Sequence, residues 1–193
     1  MKSSLKLPVT LTYLFLIVIL AYNILNGNYE FLGYAVVIGL LYFLLIKADD
    51  YYHFPAYSIW LFSIWIATHF LGGAVHINGT RLYDLILIPM LGDPFFILKY
   101  DQLIHAYTYV AISILVYFML KKHFQKGHGK SLVFFAILSA IGIGLLNEVV
   151  EFGMVIFADA ADAVGGYYNT ALDLVFNLIG AIIGVWFVSA REK

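Results

Sequence analysis

Asp101 and His105 stand four residues apart, and Asp173 and Asn177 repeat that interval. On a helix, this spacing puts both members of a pair on one face. Glu148 and Glu151 are three apart, and Asn147 precedes Glu151 by four. Carboxylates on facing helices, with an imidazole one turn from an acid, are how helix bundles assemble metal sites. His105, Glu148, Glu151 and Asp173 are therefore candidate ligands for a divalent metal such as zinc, manganese or iron. The same atoms can instead work as an acid–base pair, with His105, Glu148, Glu151 and Asp101 as candidate catalytic groups. His69, Arg81, Asp173 and Asn177 are candidate binding residues. No short ligand motif such as H-E-x-x-H selects a metal, so the cofactor stays open. Plainer readings stand beside these. Asp101, Asp173 or His69 taken singly is as well explained by a helix cap or by interfacial water. Arg81 has Asp84 and Asp93 near it in sequence as ordinary ion-pair partners.

The elements that must position these groups are apolar. Of 193 residues, 63% are hydrophobic and 12% charged, against ~45–50% and ~25% in a soluble domain. Such a chain has lipid as its main solvent. A spanning helix needs roughly 20 mostly apolar residues. Six runs qualify, at about 8–26, 31–48, 56–77, 101–120, 131–157 and 170–190. The expected fold is all-α: one integral membrane domain over residues 1–193, with six transmembrane helices. The first run follows Lys2 and Lys6, as a signal peptide would, but no small-x-small site closes it, so it reads as a retained helix. Leu82–Leu91 is apolar but too short to span, and reads as a re-entrant or interfacial piece. Gly180 and Gly184 form a GxxxG pair; with Gly72, Gly73, Gly142 and Gly144 they mark points of close helix contact. Asp159, Asp162, Gly165, Gly166, Tyr167 and Tyr168 read as a solvated acidic turn.

Basic residues orient the chain. With the N-terminus inside, Lys2, Lys6, Lys47, Lys121, Lys122, Lys126, Lys130, Arg191 and Lys193 fall on one side, and Arg81 and Lys99 on the other. Both ends are expected in the cytoplasm, with the chain a multi-pass protein of the cell (inner, cytoplasmic) membrane. Acids show the opposite bias: Glu30, Asp84, Asp93, Asp101, Glu148, Glu151, Asp159, Asp162 and Asp173 fall toward the outer side, and Asp49, Asp50 and Glu192 inside. Helices 3 to 6 thus place His69, Asp101, His105, Glu148, Glu151, Asp173 and Asn177 at one depth, beneath the outer surface. Ionisable groups in spanning segments usually face the bundle or a cavity. Helices 1 and 2 read as scaffold. The net charge of −1 gives no field that would attract nucleic acid, and the absence of cysteine excludes disulfides and thiolate chemistry.

Several stretches resemble a known family. KYDQLIH at 99–105, NEVVEF at 147–152 and ALDLVFNLIGAIIG at 171–184 are similar to the YjdF-like prokaryotic inner-membrane proteins. THFLGGAVHINGTRLYD at 68–84 resembles that family's His-containing third helix and outer loop. A more distant likeness is to VanZ-like membrane proteins, which share an Asp-x-x-x-His helix start, a Glu helix and a final Asp-x-x-x-Asn-x-x-Gly helix. The resemblance covers roughly residues 56–186, and its motif positions map to Asp101, His105, Glu148, Glu151, Asp173 and Asn177. It implies a membrane protein without a settled biochemical function. VanZ-like proteins are associated with glycopeptide-antibiotic resistance, and no catalytic role carries over. The loop FADAADAVGGYYN before the last helix departs from relatives richer in Trp and Gln.

Three functions fit. One is a binding protein whose outer polar pocket takes a membrane lipid, a lipid-linked head group, a small molecule or a metal. Another is a membrane-embedded hydrolase or transferase using the Asp/His/Glu cluster, although no nucleophile-elbow or zincin signature is present. The third is a proton- or cation-coupled transporter, although its site would lie off-centre and no internal repeat is evident.

Overall fold

The computed structural model describes residues 2–27, 29–93, 95–124, 129–158 and 166–192. The side chains of residues 29–31 and 158 fall outside this set, so Glu30 is placed only as part of a helix. Pro94, Lys126, Asp159, Asp162, Gly165 and Lys193 also lie outside the described residues.

The chain is largely helical: α1 (Ser3–Leu25), α2 (Tyr29–Tyr52), α3 (Ala56–Ala74), α4 (Tyr100–Lys121), α5 (Gly129–Ala158) and α6 (Tyr167–Arg191). Among the described residues, five helices are long and apolar enough to cross a membrane: α1, α2, α4, α5 and α6. In α3, Tyr57, Ser58, Trp60, Ser63, Trp65, Thr68 and His69 dilute the aliphatic residues. The outward faces suit a lipid solvent. Phe157 is 89% exposed, Trp186 70% and Val18 66%, which water would penalise and hydrocarbon does not.

The segment between α3 and α4 departs from an all-α reading. α3 ends at Ala74, short of the expected 77, and two small antiparallel pairs follow: β1 (His76–Ile77) with β2 (Thr80–Arg81), and β3 (Ile86–Leu91) with β4 (Ile97–Lys99). The first hairpin has a local cause. Asn78 and Gly79 both take positive φ, 52° and 81°, the geometry of a two-residue Asn-Gly turn that matches the twist of its strands. A single turn of 3₁₀ helix, Leu82–Asp84, leads to β3. The apolar stretch expected to be re-entrant or interfacial is thus largely a strand, exposed along all six residues. Pro89 lacks an N–H, which restricts β3 to an edge position.

The chain forms two compact units, Met1–Phe70 and Leu71–Lys193. In the first, the start of α1 is tied to the end of α2: Lys2 Nζ donates to Asp49 Oδ1 at 2.9 Å and to the Phe54 carbonyl at 3.1 Å. Tyr42 and Ser63 share a buried hydrogen bond of 2.8 Å. The second unit is a three-helix bundle of α4, α5 and α6 with the hairpins at one end. Its core runs through Tyr109, Ala140 and Ala181. A Cβ added at Gly180 would overlap the Ala106 carbonyl, and one at Gly184 would overlap Ser113 Oγ and the Val110 carbonyl. The GxxxG pair therefore sets the α4–α6 approach. Gly144 brings α5 in, since a Cβ there would stand 3.1 Å from Asn177 Nδ2 and 3.2 Å from the Tyr109 ring. Gly142 faces open space.

Candidate functional site

Backbone contact at Gly180 and Gly184 brings the first turns of α4 and α6 together. His105 lies five residues into α4, about 8 Å along the axis from the first residue. Its Nε2 faces Asp101 Oδ1 at 3.7 Å and Asp173 Oδ1 at 4.0 Å. Its Nδ1 is 2.9 Å from Asn177 Oδ1 and 3.9 Å from Glu148 Oε1. An amide oxygen only accepts, so the Nδ1 proton faces Asn177. The neutral ring then carries its lone pair on Nε2, toward the two aspartates.

The remaining oxygens of those aspartates are held by one residue. Asn169 Nδ2 donates to Asp173 Oδ2 at 2.6 Å and to Asp101 Oδ2 at 3.3 Å. Asn147 donates to Glu151 Oε1 at 2.7 Å. What stays unsatisfied is equally specific. Glu148 Oε1 and Oε2, Asp173 Oδ1 and Asn177 Nδ2 are buried without a hydrogen-bond partner among the described residues. The Asn147 and Asn177 amides both stand close to the Glu148 carboxylate without closing a hydrogen bond to it. Glu148 is 5% exposed, and Asp173 and Asn177 are 0%. Buried polar groups are nearly always bonded, and each exception needs an explanation.

Charge points the same way. Four carboxylates surround one imidazole, and no lysine or arginine forms a salt bridge to any of them among the described residues. Protons or a cation must supply the balance, because leaving a buried charge uncompensated costs several kcal/mol, roughly 3–5 by the effect of removing a partner. Two overlapping triads place one ligand atom each within 4.8 Å of the others: Asp101–His105–Asp173 and His105–Glu148–Glu151. Tetrahedral ligand atoms about 2.0–2.1 Å from a metal stand roughly 3.3 Å apart; in the Asp101–His105–Asp173 triad Nε2 stands 3.7 and 4.0 Å from the two aspartates, so the triad would close by roughly half an ångström around an ion. Its lone pair and its braced carboxylates converge. In the other triad Glu148 approaches Nδ1 at 3.9 Å, the nitrogen that already faces Asn177.

The structure brings together Asp101, His105, Glu148, Glu151, Asp173 and Asn177. It gives Arg81 the plainer role: Nε and Nη2 donate to Asp84 at 2.9 and 3.3 Å. His69 belongs to the first unit, where its ring lies 6.0 Å from Tyr34, 5.5 Å from Trp65 and 5.6 Å from Phe70. It is in neither triad. Asn169 was not among the expected site residues, although it precedes Asp173 by the same four-residue interval that singled out Asn177.

Residues 7–193 match a protein family described as a predicted membrane protein, DUF2238. The chain belongs to the DUF2238 family of predicted membrane proteins. This agrees with the multiple apolar helices and with a multi-pass membrane protein. No curated protein and no solved structure matches the chain.

Proposed function

We propose that this chain is a six-span inner-membrane protein, both ends cytoplasmic, that holds a divalent cation between α4 and α6 and presents it to a ligand at the outer face. One observation carries the reading: buried, unpartnered carboxylate and amide atoms gather around His105. Asp101, His105 and Asp173 are the ligands, Asn169 and Asn177 fix them from behind, and α3 is the sixth span. Such outer partners of metal ligands commonly change affinity 10–100-fold when lost. The orientation is supported by Lys121, Lys122, Lys130 and Arg191, which all lie at the far ends of α4, α5 and α6 from the cluster. The YjdF-like and VanZ-like motifs support the same residues.

Metal analysis of the purified chain tests this. One manganese, zinc or iron per chain is expected in the wild type, and substoichiometric metal in His105→Ala and Asp173→Asn. Absence of metal from folded wild type, or full metal in both variants, overturns it.

Glu148 favours hydrolysis as a second reading. Its buried carboxylate stands 3.9 Å from His105 Nδ1, on the other side of the ring from the proposed cation, and would act as a general base through an intervening water. A carrier is less well supported, because carriers place coupling sites near mid-membrane and this cluster lies at the start of α4 and α6.

A further inference from the structure

Between Asp84 and Lys99 the chain carries a single charge, Asp93. Most of this stretch is the β3–β4 ribbon. In β3, Ile86, Leu87 and Ile88 follow one another and are all exposed, as are Met90 and Leu91. Side chains alternate in direction along a strand, so β3 shows apolar groups on both of its faces. A protein seated on one face would leave the other in water. A regular edge for pairing with a further strand is also missing: Pro89 has no N–H, and the register shifts between Ile86 and Leu91. Lipid chains, by contrast, wet both faces at once.

The backbone sets the depth. At about 3.4 Å per residue, the six residues of β3 reach about 20 Å, short of the ~30 Å hydrocarbon core. A two-stranded ribbon also leaves its outer N–H and C=O groups unpaired, which hydrocarbon cannot satisfy. The interface meets both needs, with acyl chain for the side chains and water and head groups for the backbone. Neighbouring rings fit that level. Phe95 stands 5.2 Å from Tyr168 in the first turn of α6, and Tyr83 stands 6.2 Å from Tyr100 at the start of α4. Tyrosine gathers where apolar and polar layers meet. The ribbon is also tied closely to α4. β4 ends at Lys99 and α4 begins at Tyr100, whose N–H donates to the Leu85 carbonyl at 2.9 Å. Gln102, fully buried, accepts from the Lys99 N–H at 3.1 Å and donates to the Phe96 carbonyl at 3.4 Å.

We infer that the β3–β4 ribbon is a lipid-binding surface, bedded in the leaflet at the N-terminal ends of α4 and α6, and that through Gln102 it holds the first turn of α4 at head-group depth. In the topology proposed above this is the outer leaflet. The ribbon's depth rests on α4, α5 and α6 crossing the membrane and is independent of any cation. The occupant is the bilayer around the protein, and a second copy or another protein is an alternative outcome of the test.

The chain has no cysteine, so Leu87→Cys and Ile88→Cys each take one environment-sensitive NBD label. The labelled full-length protein in phosphatidylcholine vesicles is quenched by iodide from the water, by a shallow 5-doxyl lipid or by a deep 12-doxyl lipid. Thr80→Cys, on the exposed first hairpin, is the aqueous reference. Ile143→Cys, exposed midway along α5, is the deep one. Labels at the Leu87 and Ile88 positions are both expected to be quenched more by the shallow lipid than by the deep one, and several-fold less by iodide than the label at the Thr80 position. Iodide quenching equal to that at Thr80 puts the ribbon in water and overturns the inference. Quenching in the Ile143 pattern means full insertion and overturns it too. Protection from every quencher at either position means that protein covers that face, a second copy included, and also overturns it. Met90→Cys gives the same reading if a label at Leu87 or Ile88 disturbs folding. If the Ile143 label is itself open to iodide, the span reading has failed and the ribbon's depth fails with it.

Discussion

Asn177 and Asn169 make no charge, yet they decide what the charged residues can do. Asn177 Oδ1 accepts a hydrogen bond from the His105 Nδ1–H and so leaves Nε2 as the ligand atom. Asn177→Ala is therefore expected to weaken metal binding about 10–100-fold while circular dichroism shows unchanged helix content. Unaltered affinity would mean that the ring is oriented by something else. Glu148 gives a second prediction. Its carboxylate is buried and unpartnered, and such a group costs ~1–3 kcal/mol or more. Glu148→Gln should raise the thermal midpoint of the metal-free protein and reduce or abolish the further rise that metal produces. A lower midpoint in the metal-free variant would count against an uncompensated charge. At this scale the sequence was informative where intervals mattered. The spacing of Asp101 with His105 and of Asp173 with Asn177 places each pair on one face, as a helix requires. Depth informed less. His69 was grouped by its position along α3, which does not fix the direction of its side chain; within the first unit its ring lies near Tyr34, Trp65 and Phe70.

Among elements, α4 and α6 are the fixed pair. Gly180 lies against the Ala106 carbonyl, one residue beyond His105. Gly180→Ala should destabilise by about 1–3 kcal/mol, the usual cost of overpacking, and should lower metal affinity with it. Gly142→Ala, on the open side of α5, should be neutral or stabilise by up to ~1 kcal/mol through helix propensity. Thermal unfolding of the two variants separates a packing glycine from an incidental one; equal effects would remove the distinction. The helices themselves were legible as apolar runs, with ends within a few residues. The hairpins were not, because a search for spans passes over short strands. Asn78-Gly79 was the signal to use, as this dipeptide matches the turn that β1 and β2 need.

For the whole molecule, the proposed topology has Thr80 outside and Tyr51 inside, with α3 crossing between them. The absence of cysteine makes this directly measurable. In intact cells, Thr80→Cys should react with a membrane-impermeant maleimide, and Tyr51→Cys only after permeabilisation. Reaction of both from the same side would remove α3 as a span, and reaction of Tyr51→Cys alone would invert the orientation. Composition carried the membrane assignment at this scale, and the family match agrees with it.

The order of helices along the chain matters during synthesis. Asp173, Asn177 and Asn169 all reside on α6, which follows α4 and α5 in the sequence. A ribosome that has delivered only the earlier helices leaves Asp101, Glu148 and Glu151 in the bilayer without those companions. An acid at the centre of an inserting helix costs about 2.5–3.5 kcal/mol on insertion scales and less toward its ends; Asp101 opens α4 and Glu148 and Glu151 lie late in α5, so an unfinished chain would carry a smaller but summed cost in lipid. The cluster would then act as a completeness check on the newborn protein: Asn147 can hold Glu151 within α5, but only a chain that has received its last helix has the Asn169 amide that bonds Asp101.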